Sequence, residues 1–462
     1  MQVKKGQLFE LDILDIAFGG KGLARIDGMV VFVDQTVAGD RVLARIVRKK
    51  KQYAEARAET LLSPSVDRIT PPCPYSGFCG GCKLQFLRYD KQLEFKRRHV
   101  AECLAHISLV SNVVVHPALG SERVFEYRNK MEFSCSARRW LLPSEMGQER
   151  PDMDFALGLH VPGTFDRVLD TQACLLQPAF GNRLLSEVRE YMKSSGAPAY
   201  GLRSHDGFWR FLMLRHSAAR DQWMVNIVTS AQDSGILQPL ADRLFSEYDS
   251  VVSVVNNVTA GRAAVSLGES EHCLAGAPTI VDAIGPYEFE ISANSFFQTN
   301  TRGAGRLYDT VRQYADLRGT ETVLDLYCGT GSIAICLSDR AARVIGIEMA
   351  PSAVADAVQN CDRNRISNCT FVLGDMKDCL PRIDARPEVM IIDPPRVGMH
   401  KDVVQQVLAM GPERIVYVSC NPATLARDLA ELKEQYKILE VQPVDMFPHT
   451  FHIEAVARLE KI

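Results

Sequence analysis

A chain of 462 residues, 46% of them hydrophobic, is long enough for two or three domains with full cores and too rich in apolar residues for general disorder. Its net charge of −3 neither demands nor forbids nucleic acid, so any basic surface must be a local patch on an acidic molecule. No apolar run approaches the roughly 20 residues of a membrane span, and the opening Met-Gln-Val-Lys-Lys-Gly lacks the apolar core of a signal peptide. The expectation is a cytoplasmic protein with no membrane partner, whose 13 cysteines are free, catalytic or metal-bound.

Residues 1–62 read as a small β domain. The run from Gln7 to Asp15 alternates at period two, Phe18-Gly-Gly-Lys-Gly is turn chemistry, and Met29–Val33 and Asp40–Val47 are further strands. Five such strands suit an OB-type barrel. Arg48 to Lys51 form a basic strand end, which on its own is most simply a solvated surface.

Residues 64–72 hold three prolines without periodicity and read as a linker. Next comes Cys73-Pro-Tyr-Ser-Gly-Phe-Cys79-Gly-Gly-Cys82. Three thiols in so short and glycine-rich a stretch can wrap one metal centre, a structural zinc or an iron–sulfur cluster. The spacing fits no common zinc ribbon, and a fourth ligand must come from farther on. Cys103, Cys135 and Cys174 are the nearest candidates, and spacing does not choose among them.

From Asp90 to Leu104, the positions of Leu93, Val100 and Leu104 predict an amphipathic helix with Lys96-Arg97-Arg98 on its polar side. Mixed strands and helices follow to about residue 290, with a polar loop over 141–154. Residues 63–290 thus form a central α+β domain whose composition reveals no chemistry.

From residue 291 to 462, strands and helices alternate as in a doubly wound α/β sheet. Val323 to Leu326 is a short buried strand, Gly329 and Gly331 mark a sharp turn, and a helix starts at Ser332. A second strand, Arg343 to Ile347, ends on Glu348, where a carboxylate can hold ribose hydroxyls. Strand candidates end at Asp325, Glu348, Asp375, Asp393 and Cys420, so these residues should border one crevice. Asp393-Pro-Pro-Arg396 is a rigid turn. Cys420 precedes a helix that begins with Pro422, a position expected to lower a thiol's pKa. A nucleophilic thiol explains what carbon 5 of a pyrimidine needs. Addition to carbon 6 makes carbon 5 nucleophilic, and a base must later remove its proton. Glu454 is the candidate base and His452 its competitor.

The glycine turn resembles that of S-adenosylmethionine-dependent methyltransferases, and the first 62 residues resemble the RNA-binding TRAM domain. Together with Asp-Pro-Pro-Arg, Ser-Cys-Asn-Pro-Ala-Thr-Leu-Ala-Arg-Asp, Asp-Met-Phe-Pro-His-Thr and His-x-Glu, the motifs resemble the RNA uracil-5-methyltransferase family. The match reaches upstream to Asn294-Ser-Phe-Phe-Gln298, Tyr127-Arg-Asn-Lys and the cysteine group. The resemblance implies a Rossmann-like class I methyltransferase domain with Cys420 as nucleophile and Glu454 as base. It assigns Gln298, Tyr327, Ser332, Glu348, Asp375 and Asp393 to the cofactor and target pocket, and Cys73, Cys79, Cys82 and Cys174 to a [4Fe–4S] cluster. Family members with both a TRAM domain and the cluster act on large-subunit ribosomal RNA, so 23S rRNA is the expected partner of a monomeric enzyme. Competing readings are the same chemistry on transfer RNA or on two ribosomal sites, amino-group methylation of adenine, and a non-catalytic RNA-binding assembly factor. Arg396 in place of an aromatic residue disfavours the third, and Cys420 together with Glu454 disfavours the last.

Overall fold

The computed structural model describes residues 3–110, 113–146, 153–263 and 265–462. Alternating side chains in the N-terminal segment produce a curled sheet of six strands. Their spatial order is Leu8–Asp12, Arg41–Lys49, Tyr53–Ser63, Met29–Asp34, Lys21–Ile26 and Asp15–Ala17. The sequence suggests five strands because its first alternating run looks continuous. That run divides at Ile13, whose amide bonds the Asp40 carbonyl and whose carbonyl accepts from Gly39, both at 2.8 Å. The proline-bearing stretch that follows is packed down. Arg68 reaches back to the fully buried Asp40 at 2.9 Å and donates to the Gln35 carbonyl at 2.7 Å.

The middle of the chain builds a second, eight-stranded sheet around Trp209–Ser217 and Gln222–Thr229, with the helices Ala179–Ser194 and Ser234–Glu247 packed on it. Of the loop expected over 141–154, Pro143–Glu145 is one helical turn, and 147–152 lie outside the described residues.

The C-terminal sheet also has eight strands. Its order is Cys369–Leu373, Arg343–Glu348, Thr322–Leu326, Val389–Ile392, Arg414–Ser419, Glu454–Lys461, Tyr436–Val444 and Val114–Val115. The first five run parallel, and Glu454–Lys461 is antiparallel to both neighbours. Such a sheet is buried on both faces, which explains its continuous apolar runs. Val323, Ile391 and Val416 pack with the helix Thr301–Ala315, while Leu324, Ile392 and Tyr417 pack with Lys401–Met410 and Pro422–Leu432. Strand order reverses beside Thr322–Leu326, and a crevice opens at that switch point. Among the described residues no helix is long and apolar enough to cross a membrane.

The helix Tyr89–Cys103 belongs to this last body, although it lies far upstream in sequence. Here the sequence reading of Lys96 as a polar-face residue is corrected. Lys96 is wholly buried and meets the equally buried Asp445 at 2.6 Å. It also donates to the Phe447 carbonyl at 3.0 Å. Gln92, one turn earlier on the same face, donates to the Leu84 and Leu87 carbonyls and accepts the His449 amide at 2.9 Å. The helix therefore turns a polar stripe inward and uses it to hold the loop between Val444 and Glu454.

Removing either partner strands a buried charge, so Lys96→Met or Asp445→Asn should each cost about 3–5 kcal/mol. Replacing both with apolar residues should recover much of that loss in thermal unfolding.

Candidate active site

Three loops at the carboxyl ends of parallel strands form the site. Asp393-Pro-Pro-Arg396 follows Val389–Ile392, Cys420 follows Arg414–Ser419, and the 445–453 loop leads into Glu454. The first two are tied together. Asn421 and Thr424, at the start of Pro422–Leu432, donate to the Arg396 carbonyl at 3.0 and 3.3 Å. Buried Asp428, on the same helix, accepts the Met399 amide at 2.9 Å and the Tyr417 hydroxyl at 2.5 Å. Gly398 is required there, because a Cβ would sit 2.5 Å from the Arg427 guanidinium and its φ is +76°. Asp428, the last residue of the Ser-Cys-Asn-Pro-Ala-Thr-Leu-Ala-Arg-Asp motif, shapes the site, a role the sequence reading did not give it.

Cys420, Glu454, Asp393 and Arg396 come near enough for their charges to act on one another. The expected lowering of the Cys420 pKa is not what the structure shows. Burial first, then Glu454, raises the thiol to about 11, with Arg396 opposing. The helix start cannot compensate, because Cys420 precedes the N-cap and the Asn421 side chain itself accepts the Ala423 amide at 3.1 Å. Burial, then Asp393, lifts Glu454 to about 8, while Arg396 opposes. Asp393 is lifted to about 7 by desolvation. His452 is pushed down to about 4, by burial first and then by Arg396. At neutral pH the pocket therefore holds a thiol, a protonated Glu454 and a neutral imidazole.

A cleft of about 550 Å³ adjoins these loops, lined by Tyr327, Met349, Asp375, Pro395 and Val397 among others. Tyr327 opens the glycine turn with φ +63°. Gly329, at φ +54°, has open space where a Cβ would stand, whereas a Cβ on Gly331 would lie 2.9 Å from Phe371. Glu348 closes the turn by accepting amides from Gly329, Met349 and Ala350 at 3.1, 2.8 and 2.9 Å, leaving Oε2 a free lone pair. Asp375 caps the short helix Met376–Cys379 and is exposed rather than ending a strand. Gln298 is half-buried on a loop held from the middle sheet. Asn129 donates to its carbonyl at 2.8 Å, and Arg215 donates to the Ala293 carbonyl at 3.2 Å. Ser332 shares a 2.8 Å hydrogen bond with buried Tyr308, which makes it a support of the helix start. Asp325, noted in the sequence only as a strand end, is fully buried, with only the Ala334 amide near enough to favour its charged form. Burial and nearby Asp393 raise it well above the carboxylate range.

In the middle body, Cys73, Cys79, Cys82 and Cys174 line one cavity of about 220 Å³. Of the three downstream candidates, Cys174 lines this cavity, and Cys103 and Cys135 do not. Cys103 lies on the helix beside His99, and Cys135 is buried against Met192. Among the described residues no three Cys, His, Asp or Glu side chains converge closely enough to hold a single metal ion.

The doubly wound sheet, its glycine turn and the acids at its strand ends define the methyltransferase class of nucleoside-binding folds. The sequence model of the family described as tRNA (uracil-5-)-methyltransferase matches residues 282–376 and 383–462, and that of the TRAM domain matches 2–58. An RNA methyltransferase of Chlorobaculum tepidum is 42% identical over 100% of this chain and 98% of its own, and one of Bacteroides thetaiotaomicron is 41% identical over 96% and 100%. The crystal structure of the Pyrococcus abyssi tRNA (uracil-54, C5)-methyltransferase, in complex with S-adenosyl-L-homocysteine, superposes with a TM-score of 0.76 at 26% identity. That match covers 98% of this chain and 100% of that one. The chain belongs to the RNA uracil-5-methyltransferase family and is an RNA methyltransferase with an N-terminal TRAM domain.

A carboxyl group whose folded pKa exceeds its unfolded value destabilises the fold as pH rises between the two. For Glu454, between 4.5 and about 8, that loss is up to about 1.4 kcal/mol per pH unit. Glu454→Gln should therefore unfold at a higher temperature than the native chain near pH 8 and differ little near pH 5. Identical pH profiles for the two proteins would contradict the buried, neutral state of Glu454.

Proposed function

We propose that the chain methylates carbon 5 of a uridine in large-subunit ribosomal RNA, with S-adenosylmethionine as donor, through a covalent adduct on Cys420. The observation that carries this reading is the meeting of Cys420 and Glu454 at adjoining strand ends beside the cleft. The donor supplies an electrophilic methyl group on a sulfonium. Cys420, as the thiolate formed when its proton passes to solvent, adds to carbon 6 and makes carbon 5 nucleophilic. Once carbon 5 carries the methyl group, Glu454, in the carboxylate form left when its own proton has passed to solvent, takes the proton from it, the carbon 5–carbon 6 double bond re-forms, and the thiolate leaves. Arg396, acting on both groups, favours their charged forms against the desolvation that opposes them. Asp393, with its turn, would face the flipped base.

The residues around the glycine turn suit the donor. Asp325, a buried carboxyl with little beyond the Ala334 amide to satisfy it, suits a polar ligand beside it. Glu348, with Tyr327, Asp375, Gln298 and the backbone at Gly329, would hold the nucleoside, and Ser332 would act through Tyr308. The four-cysteine cradle likewise suits a [4Fe–4S] cluster held by Cys73, Cys79, Cys82 and Cys174. Its donors are all thiols, the ligand set that such a cluster takes. The cluster would supply a fixed staple. Protein purified without air should be brown, and Cys79→Ser or Cys82→Ser should bleach it and lower its melting temperature. Stoichiometric zinc without iron would overturn this assignment.

Transfer RNA is the second substrate reading, favoured by the full-length likeness to the tRNA (uracil-54, C5)-methyltransferase. Mapping label from the donor onto unmodified ribosomal and transfer RNA transcripts separates the two. Glu454→Gln cannot accept the carbon 5 proton, so it should accumulate as a denaturation-resistant complex with methylated RNA. Cys420→Ala should abolish both turnover and that complex while still binding S-adenosylhomocysteine. Multiple turnover by Glu454→Gln would move the base role to another group, His452 first.

A further inference from the structure

The mechanism makes no use of a row of aromatic rings that runs from the surface of the TRAM barrel to the catalytic loop. Its outer member is Phe18, at the tip of the turn between Asp15–Ala17 and Lys21–Ile26. The Phe18 ring lies parallel to His99, with centroids 4.6 Å apart and planes at 15°, and edge-on to Phe451 at 5.2 Å. Phe451 in turn stands 4.2 Å from His452, two residues before Glu454. The turn is pressed into place. Gly19 and Gly20 have φ of +96° and +80°, and a Cβ on Gly20 would come within 2.8 Å of Lys83, the residue after Cys82. The neighbouring ion pair of Arg98 with Asp15 fixes the same strand to the helix Tyr89–Cys103.

A ring that served only to latch the barrel would bury most of its surface. Phe18 keeps 54% of its surface exposed despite both ring contacts. Arg98, one residue before His99, is paired with Asp15 and Glu102, and His99 is shifted toward its neutral form by burial. The exposed face is thus apolar, aromatic and uncharged. It suits the flat face of a nucleobase better than a phosphate.

We infer that Phe18, backed by His99, Phe451 and His452, is a stacking platform for an unpaired RNA base next to the target uridine. This rests on the proposed reaction only in requiring that the target uridine leave its stack. A flipped nucleotide deprives its neighbours of stacking partners, and aromatic side chains are the usual substitutes in single-stranded RNA. The platform's inner end, two residues from Glu454, restricts the occupant to a nucleotide near the target. Through it the TRAM domain would touch the reacting region itself, in addition to any contact with more distant RNA.

The test compares Phe18→Leu, Phe18→Ala and Phe18→Trp with the native chain, using unmodified large-subunit ribosomal RNA and transfer RNA transcripts as probes. Leucine keeps apolar packing against Phe451 but stacks poorly. Phe18→Leu and Phe18→Ala should bind the preferred transcript about tenfold or more weakly, with S-adenosylhomocysteine affinity and melting temperature unchanged for the leucine variant. Phe18→Trp should bind like the native chain, and ultraviolet crosslinking should attach a nucleotide to the peptide that contains Phe18. Native RNA affinity in both the leucine and alanine variants overturns the platform. So does a parallel fall in melting temperature and S-adenosylhomocysteine affinity in Phe18→Leu, which would make Phe18 a latch. If the native chain binds a transcript but methylates neither, the proposed reaction fails while the binding comparison still decides the platform. Failure to bind either transcript overturns both.

Discussion

The structure depends on one buried ion pair. Lys96 and Asp445, both sealed from solvent and 2.6 Å apart, join the helix Tyr89–Cys103 to the loop that carries the candidate base. Two charges in such a place are costly unless every remaining donor and acceptor is used. Here they are shared widely. Asp445 also accepts the Tyr89 hydroxyl and the Phe447 amide, each at 3.0 Å, and Tyr89 in turn accepts the Ser121 amide at 2.7 Å. The next turns of the loop are held as firmly. Asn300 donates to the Met446 carbonyl, Tyr127 to that of Pro448, and the amides of Lys83 and Leu84 to that of His449. Four distant stretches of chain thus converge on nine residues. His449, at φ +66°, occupies a backbone region that costs a non-glycine residue energy, and it persists because these contacts over-determine it.

That rigidity fits the electrostatics of the pocket. Asp325, Asp393, Glu454 and Cys420 are all displaced toward their neutral forms, with burial as the largest cause in each. A site with so little net charge at rest suits an uncharged base, which would be repelled by neither a thiolate nor a row of carboxylates. It also means that the nucleophile must lose its proton as part of the reaction. Arg396, exposed on its turn and charged, is the group that can stabilise the anions as they form.

The nearness of Cys420 and Glu454, the proposed catalytic pair, was legible in sequence because each sits in a short, chemically unusual motif at the end of an apolar strand, and the doubly wound pattern places strand ends together. The glycine turn was legible for the same reason. What escaped the sequence was tertiary. Lys96 opens the basic run Lys96-Arg97-Arg98 on a helix whose period puts it in line with Gln92 and Val100. Its inward direction makes sense only with Asp445, 349 residues away. The thiol's raised pKa escaped as well, because the rule for helix N-termini takes no account of burial or of Glu454 across the sheet. Spacing could not single out Cys174 as the cysteine that shares a cavity with Cys73, Cys79 and Cys82, since its place there is set by the packing of Ala179–Ser194. There Asn182 accepts the Cys174 amide at 2.8 Å and sets that thiol beside the other three.

The cysteine cradle belongs to the same constraint. Uracil methylation by addition, methyl transfer and proton loss moves no net electrons, so a metal centre here has no redox step to perform. Its position points to shape. Lys83 and Leu84, which grip His449 at 2.8 and 2.9 Å, directly follow Cys82, and Gly20 of the barrel turn rests on Lys83. A centre bound by Cys73, Cys79, Cys82 and Cys174 would close a long loop, an entropic cost that grows only slowly with its length. It would thereby fix a segment that touches the barrel, the middle sheet and the catalytic loop together. Thiols that repel one another as thiolates need a cation to gather them. The metal and the buried ion pair would then do the same work from opposite sides of His449: each holds in place a loop whose own sequence, Asp-Met-Phe-Pro-His-Thr, has no helix or strand to define it.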